Sequence, residues 1–297
     1  MIKKDWIYFS YNPNDDSLEC IDGGGYESRN KSLRSMTEDA IEIIKQKGKM
    51  EHTISWAINS DDYPKEKYNY KVDKVFYQSD TLAKINTIYP DFANDMWPET
   101  GMSSYDETCN LVLEKSDRSN IIDERLFWCG NVNTHSNRKV LVNISRWNKN
   151  TMNIIYNDWL RGAPTGSALT GTNFVSLPDH TKYGKLIDIE GVGFSARTKV
   201  LAFTNRLLFV NKRPYWDWAM ATMIQEQYNN PSYPFVIEVE RNLSNLVPLL
   251  NDWNSNNNEA CEIALRCQNF AKTHFTRKNA VDHIVTLLED IEKNKQL

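Results

Sequence analysis

The sequence predicts an α/β protein with two domains, each built on a largely parallel β-sheet. Apolar runs typical of strands alternate with helical patterns in both halves of the chain, as in parallel sheets covered by helices. The length of 297 residues leaves room for two domains of ordinary size. Ligands of such sheets bind beyond the carboxyl ends of the strands, so we expect the site in a cleft between the domains.

The first half contains one clear helix and two short strands. The segment 37–48 predicts a helix that begins with Thr37 as its N-cap and ends at Gly48, with acidic residues in its first turn and lysines in its last. The β-prone runs 53–58 and 72–77 predict strands, and the first of them ends in a polar turn cluster.

The second half continues the alternation of strands and helices. Predicted strands cover residues 126–129, 186–189, 207–210 and 233–239. Predicted helices lie around residues 140–144, directly after residue 195, and over 243–254, 259–274 and 277–293. Residues 161–173 are rich in Gly, Ser and Thr, so we expect a mobile surface loop there.

The loop between the strands 186–189 and 207–210 is the most informative feature. Gly191 and Gly193 bracket the loop, Ser195 can cap the helix that follows, and Arg197 and Lys199 lie in its first turn. A helix N-terminus carries free N–H groups and partial positive charge, which suits a phosphate. An ordinary strand-to-helix turn is the alternative, because the chain lacks the third glycine and the acidic residue of the dinucleotide fingerprint.

A pair of carboxylates follows the strand 53–58 directly. Asp61 and Asp62 lie where the active sites of open α/β sheets collect, which favours a general base. A solvated turn before Pro64 is the alternative, since Asp commonly begins such turns. Spacing alone leaves both interpretations open.

Two further polar segments follow predicted strands. The loop after the strand 126–129 carries side chains that could bind phosphate or sugar hydroxyls, namely Asn131, Asn133, Thr134 and Arg138. An ordinary polar surface loop has the same composition. After the strand 207–210, an aromatic segment ends in Asp217, which could take a ribose hydroxyl. Packing of these aromatic rings between helix and sheet is the alternative.

Composition excludes several function classes. A net charge of −4 and a pI of about 5.8 argue against nucleic-acid binding. No apolar run approaches the roughly 18 residues of a membrane span, and the N-terminus has no secretory signal, so we expect a cytoplasmic protein. The Asn-, Ile- and Lys-rich composition suits an AT-rich genome, such as that of a large DNA virus. The five cysteines and five histidines form no metal-binding spacing, which predicts no metal site.

Taken in order, these segments resemble glycosyltransferase family 90, which includes Rumi-like protein O-glucosyltransferases and fungal capsule xylosyltransferases. The resemblance is strongest over residues 179–288, where the family's Gly-x-(Gly/Ala)-x-Ser-x-Arg-x-Lys loop, an aromatic-acid segment and VERNLSNL follow one another. Upstream, FWCGNVNTHSNR is similar to a family segment with a glycine, a threonine and an arginine in matching places. AINSDDYP resembles the segment that carries the family's catalytic base, which by that match is Asp62.

The resemblance implies a GT-B architecture, in which two Rossmann-like domains face each other across a cleft and a C-terminal helix crosses back. We expect an acceptor-binding domain over residues 1–120, a nucleotide-sugar-binding domain over 121–275, and the crossing helix over 276–297. The donor-binding residues implied in this way are Gly130, Thr134, Arg138, Glu190, Gly191, Gly193, Phe194, Ser195, Arg197, Lys199 and Asp217.

The activity implied by the resemblance is an inverting transfer of glucose or xylose from a UDP-sugar to a glycan or protein hydroxyl, without an essential metal or other cofactor. A non-catalytic module that binds a nucleotide sugar or a glycan is the alternative. A nucleotide-binding α/β protein of unrelated chemistry would lack a carboxylate facing the glycine loop across a cleft.

Overall fold

Two β-sheets organise the chain. The computed structural model describes residues 4–48, 50–62, 71–156 and 173–296. The first half contains β1 (Trp6–Asn12), β2 (Ser17–Asp22), α1 (Glu27–Lys47), β3 (Ile54–Asn59), β4 (Lys74–Tyr77), β5 (Ser79–Asp80) and α2 (Tyr105–Glu114). Strands of the second half are β6 (Asp123–Gly130), β7 (Met152–Tyr156), β8 (Tyr183–Asp188), β9 (Leu207–Asn211), β10 (Trp216–Asp217) and β11 (Ile237–Val239). Its helices are α3 (Ser136–Trp147), α4 (Thr198–Leu201), α5 (Trp218–Asn229), α6 (Leu246–Ser255), α7 (Asn257–His274) and α8 (Arg277–Lys295).

The first sheet is mixed, so the expectation of a largely parallel sheet is wrong for this half. Its strand order is β2-β1-β3-β4, and β1 runs antiparallel to both β2 and β3. Only β3 and β4 are parallel. The connection between β1 and β2 covers only residues 13–16, and so short a link permits a hairpin but no crossover.

The second sheet confirms the parallel prediction. Its order is β11-β9-β8-β6-β7, and all of its described pairings are parallel. The chain moves outward from β6 to β7 and then returns to β8 on the other side of β6. This reversal is the topological switch point, where ligands of doubly wound sheets bind at the carboxyl ends of the strands.

Several contacts join the two halves, among them a strand pair and the packing of the last helix. β5 and β10 pair antiparallel, which joins residues 79–80 to residues 216–217. The last helix, α8, packs against α1, where Arg277 forms ion pairs of 2.7 Å with both Asp39 and Asp95. The domain boundaries themselves stay a prediction.

Several predicted elements differ in extent. α1 begins at Glu27, ten residues before the predicted start, so Thr37 lies in the helix interior and its hydroxyl donates to the carbonyl of Leu33 at 2.7 Å. Gly48 ends α1 with φ of 60°, as expected for a left-handed C-cap. The predicted loop 161–173 lies outside the described residues, apart from its last residue. Among the described helices, none is long and apolar enough to cross a membrane.

Candidate active site

A cavity of about 260 Å³ lies at the carboxyl ends of β3, β6 and β8. Asp62, which follows β3, belongs to the same lining as Ser195 and Arg197, which follow β8. The other predicted site residues in this lining are Gly130, Thr134, Arg138, Gly191 and Phe194. The structure therefore brings eight of the twelve predicted residues into one cavity, contributed by both halves of the chain.

Asp62 is held by an arginine that the sequence analysis missed. Arg29, in the first turn of α1, donates from Nη1 to Oδ1 of Asp62 at 2.7 Å and to the carbonyl oxygen of Ser60 at 3.2 Å. The guanidinium lies over the rings of Tyr26 and Phe92, at 4.3 and 4.5 Å from their centroids. Two rings and an ion pair fix this guanidinium, which in turn fixes the carboxylate at the cavity wall.

The glycine loop does not lead into the helix that we expected. Gly191 donates its backbone N–H to the carbonyl of Phe194 at 2.9 Å, so the loop closes on itself. The helix that follows, α4, is only four residues long, with Arg197 at its N-cap position and without a side-chain cap. The prediction that Ser195 caps this helix is wrong. So short a helix has little dipole, and phosphate binding at this loop stays a prediction.

A buried carboxylate, Asp188 at the end of β8, organises this loop instead. It accepts hydrogen bonds from the Ser195 hydroxyl at 2.8 Å, the Thr198 hydroxyl at 2.7 Å, and Arg197 and Arg213, each at 2.9 Å. Burial by itself would raise the pKa of Asp188, but Arg213 and Arg197 outweigh burial and lower the pKa to about 2. Asp188 is therefore ionised at neutral pH, and it sets the position of Ser195 and Arg197.

Arg197 keeps one donor unused. Its Nε donates to Asp188 and its Nη1 to the carbonyl of Cys129. Its Nη2 is buried and has no hydrogen-bond partner within the described ranges. A buried charged donor without a partner is costly, so an acceptor bound in the cavity would stabilise this arrangement.

Arg138 adds a second positive charge to the cavity. Its guanidinium donates to the carbonyls of Asn131, Ile189 and Glu190 at 2.9 to 3.1 Å. Burial, and then repulsion from Arg197, lowers the pKa of Arg138 to about 9, so it remains protonated at neutral pH. Because these acceptors are neutral, the charge of Arg138 stays available to an anionic ligand.

Trp128 lies beneath both guanidinium groups. Arg138 and Arg197 are each 5.5 Å from the centroid of its ring. A Cβ atom at Gly130 would lie 2.8 Å from the same ring, which explains why glycine occupies that position. The buried indole of Trp128 thus packs against both guanidinium groups and stabilises them by cation–π interactions.

Four predicted donor-binding residues lie elsewhere. Gly193 is not part of the cavity lining, and the buried carboxylate of Glu190 accepts hydrogen bonds from Asn137 at 3.1 Å and Asn211 at 3.3 Å. Lys199 is fully buried and forms an ion pair with Asp91 at 2.6 Å, so it cannot contact a phosphate in the cavity.

Asp217 is the fourth of these residues. It caps α5 by accepting the backbone N–H of Met220 at 3.2 Å. Burial raises the pKa of Asp217 and the charge of Lys199 lowers it; burial has the larger effect, and the pKa is about 6. The structure therefore gives Asp217 a role in capping a helix within the core, and the prediction of donor binding does not fit its position.

No metal-binding cluster is evident where the structure can be described. Within residues 4–48, 50–62, 71–156 and 173–296, no group of three or more His, Cys, Asp or Glu side chains is arranged to hold a metal ion. Metal independence stays a prediction.

The fold and the cavity define the class of protein: an α/β protein with a Rossmann-like parallel sheet and a cationic ligand cavity at its switch point. The family model described as "Glycosyl transferase family 90" matches residues 45–296. The chain belongs to this family, which supports a transferase activity and confirms the family prediction. A search of the curated proteins found no significant match. The match begins within α1, after Tyr26 and Arg29.

Proposed function

We propose that this protein is an inverting glycosyltransferase that moves glucose or xylose from a UDP-sugar to a hydroxyl of a glycan or protein acceptor. Family membership supports the transferase class. The proposed donor and mechanism rest on one observation. Asp62, from the first half of the chain, and Arg197, from the second half, line the same cavity. A base and a cationic diphosphate site that line the same cavity can act on one sugar bound in it.

In this proposal the cations neutralise the leaving diphosphate. Arg197 offers its unpartnered Nη2, and Arg138 contributes a charge whose hydrogen bonds go to neutral carbonyls. Charge builds on the diphosphate as the bond to the sugar breaks, and fixed donors stabilise that charge without reorganising. Two guanidinium groups can therefore supply the stabilisation that other transferases take from a metal ion.

Asp62 acts as the general base. It takes the proton of the acceptor hydroxyl, whose oxygen attacks the anomeric carbon as the bond to the UDP oxygen breaks. Attack on the face opposite UDP inverts the configuration at that carbon. Proton transfer of this kind contributes roughly 10²–10⁴ to the rate. The contact from Arg29 supports the role because it orients the carboxylate.

Ser195 takes a positioning role. Its hydroxyl hydrogen is already donated to Asp188, so it cannot be donated to a phosphate at the same time. We assign Ser195 and Asp188 to holding Arg197 in place.

The GT-B arrangement is part of the same proposal. Residues 1–120 would bind the acceptor, residues 121–275 the nucleotide sugar, and residues 276–297 would join the two. The contributions of both halves to one cavity and the packing of α8 on α1 support this division.

Release of UDP from a panel of UDP-sugars tests the proposal. We expect the purified protein to hydrolyse UDP-glucose or UDP-xylose slowly in the absence of acceptor, and to be inert towards UDP-sugars that do not fit. The anomeric configuration of the initial sugar product, followed by NMR, should be opposite to that of the donor. Absence of both hydrolysis and UDP binding would reject the proposed enzyme activity. If the protein nevertheless binds a glycan, the result would favour the alternative of a non-catalytic recognition module.

A further inference from the structure

His180 is a buried side chain on the cavity wall that the mechanism above does not use. It lies in a short 3-10 helix, Pro178–Lys182, is only 3% exposed, and belongs to the lining of the cavity. Its ring packs edge-on against Phe127, with 5.2 Å between the ring centroids. The imidazole is therefore fixed in position next to the ligand space.

The hydrogen bonding of His180 defines its chemical character. Its Nδ1 lies 2.8 Å from the carbonyl oxygen of Ser176, and since a carbonyl only accepts, Nδ1 carries the proton. Burial, and then the charge of Arg197, lowers the pKa of His180 to about 4, so the ring is neutral at neutral pH. Its Nε2 then presents a lone pair and acts as a hydrogen-bond acceptor.

This acceptor has no partner. Nε2 of His180 is buried, and no donor within the described part of the chain lies within hydrogen-bond distance. Apolar side chains, among them Val175, Leu177 and Ala196, line the same cavity as His180, together with polar and charged ones. A single buried acceptor without a partner suits the edge of a flat ring that presents one N–H group. A sugar, with a hydroxyl on nearly every carbon, would need more polar partners.

We propose that His180 reads the base of the bound nucleotide, with its Nε2 accepting the N3–H group of uracil. Cytosine carries a lone pair at N3 in place of this hydrogen, so the same Nε2 would repel it. The inference rests on the proposed function, because that function supplies the uridine nucleotide. It is consistent with the neighbourhood of Arg197, which lines the same cavity and would hold the diphosphate of that nucleotide.

Calorimetric titration of UDP and CDP tests this assignment. We expect the wild-type protein to prefer UDP over CDP by at least about tenfold. His180→Phe keeps the ring shape and removes the acceptor, so UDP binding should weaken about tenfold while CDP binding stays within about twofold. His180→Gln should restore part of the UDP affinity but a smaller preference, because its amide can also donate to cytosine.

His283 provides a matched control. It is another imidazole, partly buried, whose Nε2 donates to the carbonyl of Ile88 at 3.0 Å. It stacks on Trp218 and is not part of the cavity lining. His283→Phe should preserve the preference for UDP whatever it does to stability.

Each possible outcome of these titrations either supports or overturns the role of His180. A folded His180→Phe protein that retains the wild-type ratio of UDP to CDP affinity overturns the role of His180 and leaves the proposed function standing. A wild-type protein that binds UDP and CDP equally does the same. A wild-type protein that binds neither nucleotide overturns both. If His180→Phe fails to fold by circular dichroism, an unchanged preference in His180→Gln overturns the inference.

Discussion

The hydroxyl of Ser195 donates a hydrogen bond to Oδ1 of Asp188 at 2.8 Å, and Arg197 donates to the same oxygen at 2.9 Å. One buried carboxylate therefore fixes both side chains of the glycine loop. The loop is an extension of the β8 strand end rather than the start of a long helix. Its cations are positioned by a charge in the core, and this arrangement makes the ligand site depend on Asp188.

Replacing Asp188 should damage both stability and ligand binding. Asp188→Ala leaves Arg213 buried without its carboxylate, so we expect the free energy of unfolding to fall by about 3–5 kcal/mol. Arg197 also loses its anchor, and UDP binding should weaken by about tenfold or more. Urea denaturation and calorimetry measure the two effects. Glu240→Gln, which breaks the exposed pair with Lys212, is the control and should cost less than about 1 kcal/mol. Equal costs for the two variants would contradict the role of Asp188.

Arg197 should contribute to nucleotide affinity through its guanidinium fork. We expect Arg197→Ala to weaken UDP binding by about 10- to 100-fold, because charge-assisted hydrogen bonds to phosphate are lost. Arg197→Lys should recover only part of this, since an ammonium cannot bond Asp188 and a phosphate with the same geometry. The exposed Arg146→Ala is the control for charge alone. Unchanged UDP affinity in Arg197→Ala would remove this residue from the site.

Asp217 should make stability depend on pH in a specific direction. Burial raises its pKa to about 6 in the folded protein, above its ordinary value of 3.8, so the folded state holds this proton more tightly than the unfolded state. Its contribution to stability is therefore greatest below about pH 4 and falls as the pH rises towards 6. Asp217→Asn keeps a capping oxygen and should raise stability at pH 7 by roughly 1–3 kcal/mol.

The measurement for Asp217 is the free energy of unfolding between pH 4 and 8. The wild type should lose stability over pH 4 to 6 relative to Asp217→Asn, and the two should bind UDP alike because Asp217 is not part of the cavity lining. A variant that binds UDP much more weakly while remaining folded would return Asp217 to the donor site.

Transfer should not require a divalent metal. The proposed diphosphate site uses Arg138 and Arg197, and we expect activity to survive treatment with EDTA within about twofold, since these guanidinium groups carry the compensating charge. Adding Mg²⁺ or Mn²⁺ back to the treated protein should change little. Loss of activity with EDTA and recovery with one of these ions would contradict metal independence.

Much of the parallel sheet could be predicted from the sequence because its strands are buried. The apolar runs at 126–129, 186–189 and 207–210 all lie within strands or extend them by a single residue, since strands covered on both faces need continuous apolar side chains. The start of α1 could not be found in the same way. Its first turns are polar, and burial of Leu33 and Met36 against the first sheet, rather than local preference, makes them helical.

In the candidate site, the residues recognisable from local sequence could be predicted, whereas their partners from distant parts of the sequence could not. Asp62, Arg138, Ser195 and Arg197 were found through their places at strand ends and through the family resemblance. The partners that fix them were missed, because Arg29 meets Asp62 across 33 positions of sequence and Arg213 meets Asp188 across 25. A lone acid within the apolar run LIDI was the available signal for Asp188, since a buried carboxylate must find partners.

The most direct test compares turnover with UDP affinity in Asp62→Asn. If Asp62 takes the acceptor proton while Arg197 holds the diphosphate, turnover should fall by about 10²–10⁴. The dissociation constant for UDP, measured by calorimetry, should stay within about twofold of the wild-type value. Asp61→Asn is the matched control, since its amide oxygen can still accept the backbone N–H of Asp62, and it should keep most of the activity. Near-wild-type turnover in Asp62→Asn would contradict the claim that Asp62 and Arg197 act on one donor across this cavity.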